Sequence, residues 1–475
     1  MREPHIIFIM TDQHRFDALG CSGNAAIKTP NLDALASLGV LFTSAYSAVP
    51  SCTPSRACLL TGMSPWHHGM LGYGRIAEHY RYEMPRMLED LGYHALGVGK
   101  MHFHPQRALH GFHETVLDES SRSESPGFIS DYRQWFKQVA PGKDPDATGI
   151  GWNDNKARNY ALDENMHPTR WTGDVAVQKI KEHDPVIPFF LKISFARPHS
   201  PYDAPKRLVD AYKLEDMPAP WIGSWCKRFR KPDAIVNGHA RGDFGVDFAR
   251  EARRHYYGNV TFIDEQIGRV VAALKEKGMY DDSLILFTSD HGDMLGDHHH
   301  WRKTYGYEGS AHIPMILTWP AWYKAAIARG SKLQSIVELR DVLPTFLFAA
   351  GGKVPGDMDG KSLLALVSED KPAWREYIDM EHETAYDPRN YWMGLTDGKH
   401  KYIFFRPTGK EQFFDLERDP HEEHDLAKDK SRAQELALWR SRLAAHFQER
   451  GPKWVKNGKL RKSWRSQLYS PNYPK

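Results

Sequence analysis

The chain has 475 residues, 41% hydrophobic and 26% charged, with 63 Lys and Arg against 60 Asp and Glu. That length predicts one large domain plus a smaller one, with room for a substantial core. Near-balanced charge gives no support to nucleic-acid binding, and no run of about 18 apolar residues is present to span a membrane. Cys21, Cys52, Cys58 and Cys226 form no CxxC pair. They are too few for a disulfide framework, although one bridge is possible. The first apolar run is too short for a signal-peptide core. The expected location is therefore cytoplasmic, or periplasmic or secreted where a signal has been removed.

His5–Met10 is a short, partly β-branched apolar run that predicts a strand buried on both faces, ending at Thr11–Asp12–Gln13. Thr29–Pro30 predicts a helix start, with Thr29 as the cap, Leu32, Leu35 and Ala36 on one face, and Gly39 as the stop. Further buried strands are expected at 93–98, 189–195, 284–288 and 314–318. A long amphipathic helix is expected over 254–277, with Val260, Ile263, Ile267, Val270 and Leu274 on one stripe. Strands alternating with helices predict an α/β fold with a large, mainly parallel or mixed sheet sandwiched by helices. Reactive residues then gather at the carboxyl ends of the strands. Segments 120–167 and 203–248, rich in Pro, Gly and aromatics, read as excursions around the rim of a site. After about residue 372 come four short strands and a helix over 431–450, predicting a small antiparallel sheet plus helix. The expected division is 1–371 and 372–475.

Three constellations carry chemistry. Asp12–Gln13 offers hard oxygen ligands suited to Ca²⁺, Mg²⁺ or Mn²⁺, or else caps a turn. Ser289–Asp290–His291–Gly292–Asp293 offers half of a divalent site, or another turn. Unpaired carboxylates delivered to one sheet edge would repel unless a cation sits between them. Cys52–Thr53–Pro54–Ser55–Arg56 places a cysteine at a helix N-terminus, where free N–H groups and the dipole favour anions, with Arg56 as a fixed cation. Read alone, Cys52 could equally be a structural cysteine. His298–His299–His300 suggests a second metal site, but reads better as substrate rim or solvated surface. Trp301, Tyr73 and His104 are further candidates for reaching a substrate.

The run C-x-P-S-R, a short helix and T-G at Cys52–Gly62 resembles the signature of the formylglycine-dependent sulfatases of the alkaline phosphatase superfamily. Met10–Gln13, Thr29–Asp33, Gly99–His102, Arg197–Pro201, Asp290–Gly292, Lys303 before Tyr307–Glu308, and Phe414–Leu416 with Asp419–Pro420 resemble further family segments in the expected order. The resemblance implies an alkaline-phosphatase-like fold and hydrolysis of a sulfate monoester, on a sulfated small molecule or oligosaccharide. It implies that Cys52 is converted to formylglycine by a formylglycine-generating enzyme, and that Asp12, Gln13, Asp290, His291 and modified Cys52 hold one metal. Ca²⁺ follows the family majority, and Mn²⁺ or Mg²⁺ is the alternative, Mn²⁺ because an imidazole ligand suits transition metals. Arg56 would steady the nucleophile, and Lys100 and Lys303 would clamp sulfate oxygens. His102 would take a proton from the aldehyde hydrate, and His199, with Lys303 second, would protonate the leaving group. The Asp–Gln and Asp–His metal segments depart from the commoner Asp–Asp and Asp–Asn. They look like the branch holding choline sulfatases and phosphonate monoester hydrolases, so both activities stand as alternatives.

Overall fold

In the computed structural model, which describes residues 3–120, 126–231, 239–369, 372–384 and 386–474, His5–Asp12 is one continuous strand with every residue buried. Ile6, Phe8 and Met10 enter one hydrophobic cluster, and Ile7 and Ile9 enter another. A strand alternates its side chains between faces, so this one is covered on both sides, as the apolar run predicts. It sits near the middle of an eight-stranded sheet. The spatial order is Glu114–Leu117, His94–Gly99, Phe189–Pro198, His5–Asp12, Ser283–Ser289, Met315–Thr318, Val40–Phe42, Ser331–Leu333. Met315–Thr318 alone runs antiparallel to its neighbours. All the other pairings are parallel.

Helices cover both faces. Pro168–Glu182 and Val246–Glu276 bury Ile180, Ile263, Ile267, Val270 and Leu274 against one. Cys52–Thr61 and Val342–Ala349 bury Leu59, Leu60, Leu343 and Phe346 against the other. Each such side chain contributes about 1.5–3 kcal/mol by leaving water.

Two local readings change. The long helix starts at Val246, eight residues before the expected 254. Its first turns bury Ala249 and Ala252 in a separate aromatic cluster with Tyr256 and Trp301, and Arg253 is buried there and pairs with Asp297 at 3.2 Å. The helix Pro30–Ser37 begins where Thr29–Pro30 predicts, but the Thr29 hydroxyl does not cap it. The Asp264 carboxylate, arriving from the long helix, accepts from the Leu32 N–H at 2.7 Å and the Asn31 N–H at 3.1 Å. A capping carboxylate serves whichever element supplies it.

The C-terminal strands Ile378–His382, Trp392–Thr396, His400–Phe405 and Lys410–Asp415 pair antiparallel in chain order. Helix Ala433–His446 closes one face with Leu436, Trp439 and Leu443, then tightens into a 3₁₀ turn to Arg450. The opposite face, with Trp392, Ile403 and Phe414, packs on Tyr305 and Tyr307 of the larger layer. The division expected at 371/372 falls at residues 370–371, outside those described, as do parts of both excursions (121–125 and 232–238). All four cysteines are free. Among the described residues no helix is long and apolar enough to cross a membrane.

Candidate active site

Four parallel strands end at the same edge, and the residues that leave them make the site. Thr11 lies opposite Ser289, and Asp12 opposite Pro198. Asp12, Asp290, Lys100 and His199 therefore meet although up to 278 residues separate them. Gly99 permits one of these exits. Its φ is +91°, and a Cβ there would lie 2.1 Å from the Ser194 carbonyl oxygen. Only glycine lets the chain turn so tightly and present Lys100. Gly292 does the same after His291, where a Cβ would meet the Gly309 carbonyl oxygen at 2.2 Å.

Cys52 opens the helix Cys52–Thr61, and Ser51 is its extended cap residue. Its thiol lies 3.2 Å from His291 Nε2 and 3.8 Å from Asp12 Oδ1. One ligand atom from each of Asp12, Cys52, Asp290 and His291 falls within 4.8 Å of the others, and all four residues are buried. The His291 Nδ1 lies 3.0 Å from the Gly292 carbonyl oxygen. Donating there fixes the tautomer that turns the Nε2 lone pair toward the carboxylates, as a metal-ligating histidine requires. Gln13 stands beside this group. Its N–H donates to Asp290 Oδ1 at 3.1 Å, and its side-chain oxygen accepts from Lys303 Nζ at 2.8 Å.

Cations frame the carboxylates. Arg56 Nε donates to Asp290 Oδ2 at 2.9 Å, while Nη1 donates to the Lys100 carbonyl at 2.6 Å and to Ser194 Oγ at 3.1 Å. Its Nη2 is buried, 3.6 Å from Asp12 Oδ2, and makes no hydrogen bond. Lys100 Nζ donates to Asp12 Oδ2. Lys303 Nζ lies 2.5 Å from His199 Nε2, and His199 Nδ1 faces the Ser200 carbonyl at 2.8 Å. The Met101 and His102 N–H groups both donate to Glu119 Oε1 at 2.8 Å. Gln13, His102, Arg302 and Thr304 all have φ between +62° and +79°. Such left-handed backbone costs about 1–3 kcal/mol each and collects at functional sites.

The electrostatics follow from this crowding. Burial raises the Asp12 carboxyl, but Lys100, His199, His291 and Arg56 outweigh it and hold it well below the usual carboxylate range. Burial and Asp12 push the Cys52 thiol up, while Lys303, Lys100 and His291 pull harder and leave it at about 7. Burial lowers His291, but Asp290 and the Cys52 sulfur raise it further, for a net upward shift.

The structure thus brings together nine residues singled out from sequence, Asp12, Gln13, Cys52, Arg56, Lys100, His199, Asp290, His291 and Lys303, with His102 two residues beyond Lys100 on the loop held by Glu119. It adds others. Trp152 stacks on the His199 ring at 4.0 Å, and Lys100 Nζ lies 4.8 Å from its centroid. Asp293 accepts from Gln13 Nε2 at 2.5 Å and from the Tyr202 hydroxyl at 2.6 Å. Asp293 closes the Ser289–Asp293 run already marked in the sequence; nothing local marked Trp152 or Glu119. Tyr73 lies at the rim, its ring 6.5 Å from that of His102. Trp301 does not reach the site: it is buried and donates to the Gly242 carbonyl. His298 and His300 are neither solvated nor grouped as metal ligands among the described residues. They are buried against Trp225 and Tyr307, which pushes His298 down to about 4 and His300 well below its ordinary value.

A mixed sheet covered on both faces, with carboxylates, an imidazole and a helix-N-terminal cysteine gathered at its carboxyl edge, defines a hydrolase with the alkaline-phosphatase-like fold. Residues 4–352 match the Sulfatase family model, and residues 296–450 match N-sulphoglucosamine sulphohydrolase, C-terminal. The chain is 38% identical over 479 residues to an arylsulfatase of Clostridium perfringens (strain 13 / Type A), covering 97% of this chain and 98% of that one. The phosphonate monoester hydrolase of Agrobacterium radiobacter shares the fold at TM-score 0.80 and 23% identity, covering 97% of this chain and all of that one. A protein solved with its substrate D-glucosamine-2-N,6-O-disulfate shares it at TM-score 0.76 and 21% identity, covering 94% and 98%. The chain belongs to the sulfatase family and is a hydrolase of sulfate esters.

Proposed function

We propose that this sulfatase cleaves a sulfate monoester on a carbohydrate, with Cys52 carried as formylglycine. One divalent cation would be held by Asp12, Gln13, Asp290, His291 and the modified Cys52. The observation that carries this reading is the buried four-donor group built around the Cys52 side chain. Two carboxylates and an imidazole with its Nε2 turned inward fit a divalent cation, and the carbonyl of Gln13 would add a hard ligand. The bare Arg56 Nη2 fits an oxygen at position 52 better than a thiol. The carbohydrate part rests on the likeness to the protein solved with a disulfated glucosamine.

When present, the hydrated aldehyde supplies the attacking hydroxyl, and the cation supplies the acidity that activates it. The chain's own residues do the rest. Arg56, pinned by three acceptors, holds the residue at 52 in register with Asp290. Lys100 and Lys303 rest on the oxygens of Asp12 and Gln13. With those oxygens turned to a cation, Lys100 and Lys303 would hold sulfate oxygens, where charge grows in the transition state. Glu119 holds the loop that carries His102, the base for the second proton. His199 Nε2, 2.5 Å from Lys303 Nζ, would protonate the leaving oxygen, with Lys303 second.

Cation binding should release a proton, because His291 is raised and must be neutral to ligate. Affinity for Ca²⁺ or Mn²⁺ is therefore expected to fall as pH drops below the His291 pKa, so titration calorimetry at pH 8 should give tighter binding than at pH 6. A pH-independent affinity would remove His291 from the ligand set. At 100-fold excess over Kd the cation should stabilise the fold by about 2.7 kcal/mol, read as a rise in Tm that a chelator reverses. The substrate class is tested by sulfate release from a panel of sulfated sugars, choline sulfate, an aryl sulfate and an aryl phosphonate monoester. The panel uses protein co-produced with a formylglycine-generating enzyme. Release from sulfated sugars is expected; turnover of the phosphonate alone would favour the alternative activity on the same scaffold.

A further inference from the structure

Eight of the chain's 63 Lys and Arg follow Glu449, and no Asp or Glu does. The preceding 449 residues therefore hold 55 basic against 60 acidic side chains, and the positive balance of the whole chain comes from its last segment. In the fold this segment closes a cleft of about 780 Å³. The Arg406 guanidinium lies 3.6 Å from the Trp454 ring centroid. That of Arg450 lies 4.9 Å from Trp454 and 4.7 Å from Trp66, and is anchored on Glu381 at 2.6 Å. Lys453, Arg461, Lys462 and Arg465 line the cleft, are exposed, and form no ion pair among the described residues. Some exposed cations elsewhere are paired, Arg207 with Glu164 and Glu265 and Arg440 with Glu411, whereas here four unpaired ones share one cleft. Among the described residues no Asp or Glu lines the cleft. Unscreened like charges repel, so an uncompensated cationic cluster marks a surface that gains by meeting an anion.

The cluster is held in place. The Arg461 N–H donates to the Trp454 carbonyl at 2.8 Å, and the Ser463 N–H to the Arg406 carbonyl at 2.9 Å. It also adjoins the catalytic rim. Tyr469 lines the cleft, and its hydroxyl accepts from the Arg75 N–H at 2.9 Å. In the same turn the Gly74 N–H donates to Thr53 Oγ1 at 3.2 Å, next to Cys52, and half-exposed Tyr73 faces His102.

We propose that this cleft binds the anionic groups of a sulfated glycan chain beyond the sugar held at Cys52. The rings of Trp454 and Trp66 hold Arg406 and Arg450 in place, and separated cations match sulfates spaced along a polymer. The proposal rests on the carbohydrate reading above and deepens it: the substrate class is a polyanionic chain rather than an isolated sulfated sugar. Continuity with the catalytic rim favours a glycan over a nucleic acid.

The test compares the wild type with the combined Arg461→Ala, Lys462→Ala and Arg465→Ala variant, all at exposed positions. Substrates are a sulfated polysaccharide and an aryl sulfate, and direct binding is measured with dextran sulfate. The variant should raise KM on the polysaccharide about tenfold or more, with kcat and all aryl sulfate kinetics unchanged. Arg461→Lys with Arg465→Lys should keep wild-type values. Equal losses on both substrates, or no loss on the polysaccharide, would overturn the proposal. Single-stranded DNA bound as tightly as dextran sulfate of equal charge would also overturn it. Turnover of aryl sulfate without turnover of any sulfated glycan would defeat the carbohydrate reading alone. Dextran sulfate binding lost in the variant would still support the cleft, and unchanged binding would sink it.

Discussion

Replacing Cys52 with alanine is expected to lower sulfate-ester turnover by about 10⁵–10⁶-fold, as removal of a nucleophile does where the rest of the site cannot substitute for it. The residue is fully buried, and among the described residues its sulfur has hydrogen-bond partners in His291 and Asp12. The alanine variant therefore loses few contacts and should cost the fold about 1 kcal/mol. Circular dichroism and Tm should show a folded protein without turnover. Cys52→Ser separates two chemistries. The thiol sits at about 7, so an unmodified thiolate is a conceivable direct nucleophile. Serine retains an oxygen but gives the maturation enzyme no thiol to convert, so this variant should be nearly as inactive as alanine. Alanine-like inactivity with serine, combined with inactivity of the unconverted wild type, points to the aldehyde. Substantial activity in the alanine variant would remove residue 52 from the chemistry, and substantial activity in the serine variant would assign the attack to a plain hydroxyl instead of the aldehyde hydrate.

The second large effect is expected at His199 and depends on the leaving group. Its ring is held from three sides: Trp152 stacks on it at 4.0 Å, the Ser200 carbonyl faces Nδ1, and Lys303 meets Nε2 at 2.5 Å. A ring so fixed suits delivery of a proton along one direction. His199→Ala should cost about 10²–10⁴-fold on an alkyl or sugar sulfate, whose alkoxide is a poor leaving group. On a nitrophenyl sulfate, which needs little protonation to leave, the loss should be small. Plotting log kcat/KM against leaving-group pKa should give a steeper slope for the variant than for the wild type. Parallel lines would show that His199 binds or positions and does not protonate. Trp152→Ala should move the slope in the same direction by less, because it frees the ring without removing it.

Much of the site was legible because its parts are local in sequence. Asp12–Gln13 and Asp290–His291 each end an apolar run, and a parallel sheet must bring such ends to one edge. Cys52 and Arg56 lie one helical turn apart on a segment whose proline sets the first turn. The resemblance added Lys100, His102, His199 and Lys303, which read alone are only solvated cations or a loop histidine. Trp152 was not legible. It sits in an excursion without periodicity, and its role exists only because the fold lays that excursion over His199. Glu119 was missed for a related reason: its partners are backbone N–H groups, which leave no mark on side-chain pattern. The same holds for Asp264, which caps a helix more than 230 residues away. The start of the long helix was read late because its first turns bury only the small Ala249 and Ala252 and the charged Arg253, which make a weak apolar stripe in one sequence. The histidine run at 298–300 misled in the opposite sense. Three adjacent imidazoles suggest a metal or a rim, yet aromatic packing against Trp225 and Tyr307 buries two of them.

Sulfate-ester hydrolysis is expected to require Cys52 in its oxidised, aldehyde form. The most direct measurement is specific activity on one sulfate ester across preparations with different extents of Cys52 conversion. Conversion would be set by the level of co-produced formylglycine-generating enzyme and quantified by mass spectrometry of the peptide containing residue 52. Activity should rise in proportion to the aldehyde fraction and extrapolate to zero without it. Activity independent of conversion, or highest in the unconverted protein, would contradict the account and assign the reaction to the thiolate or to another residue.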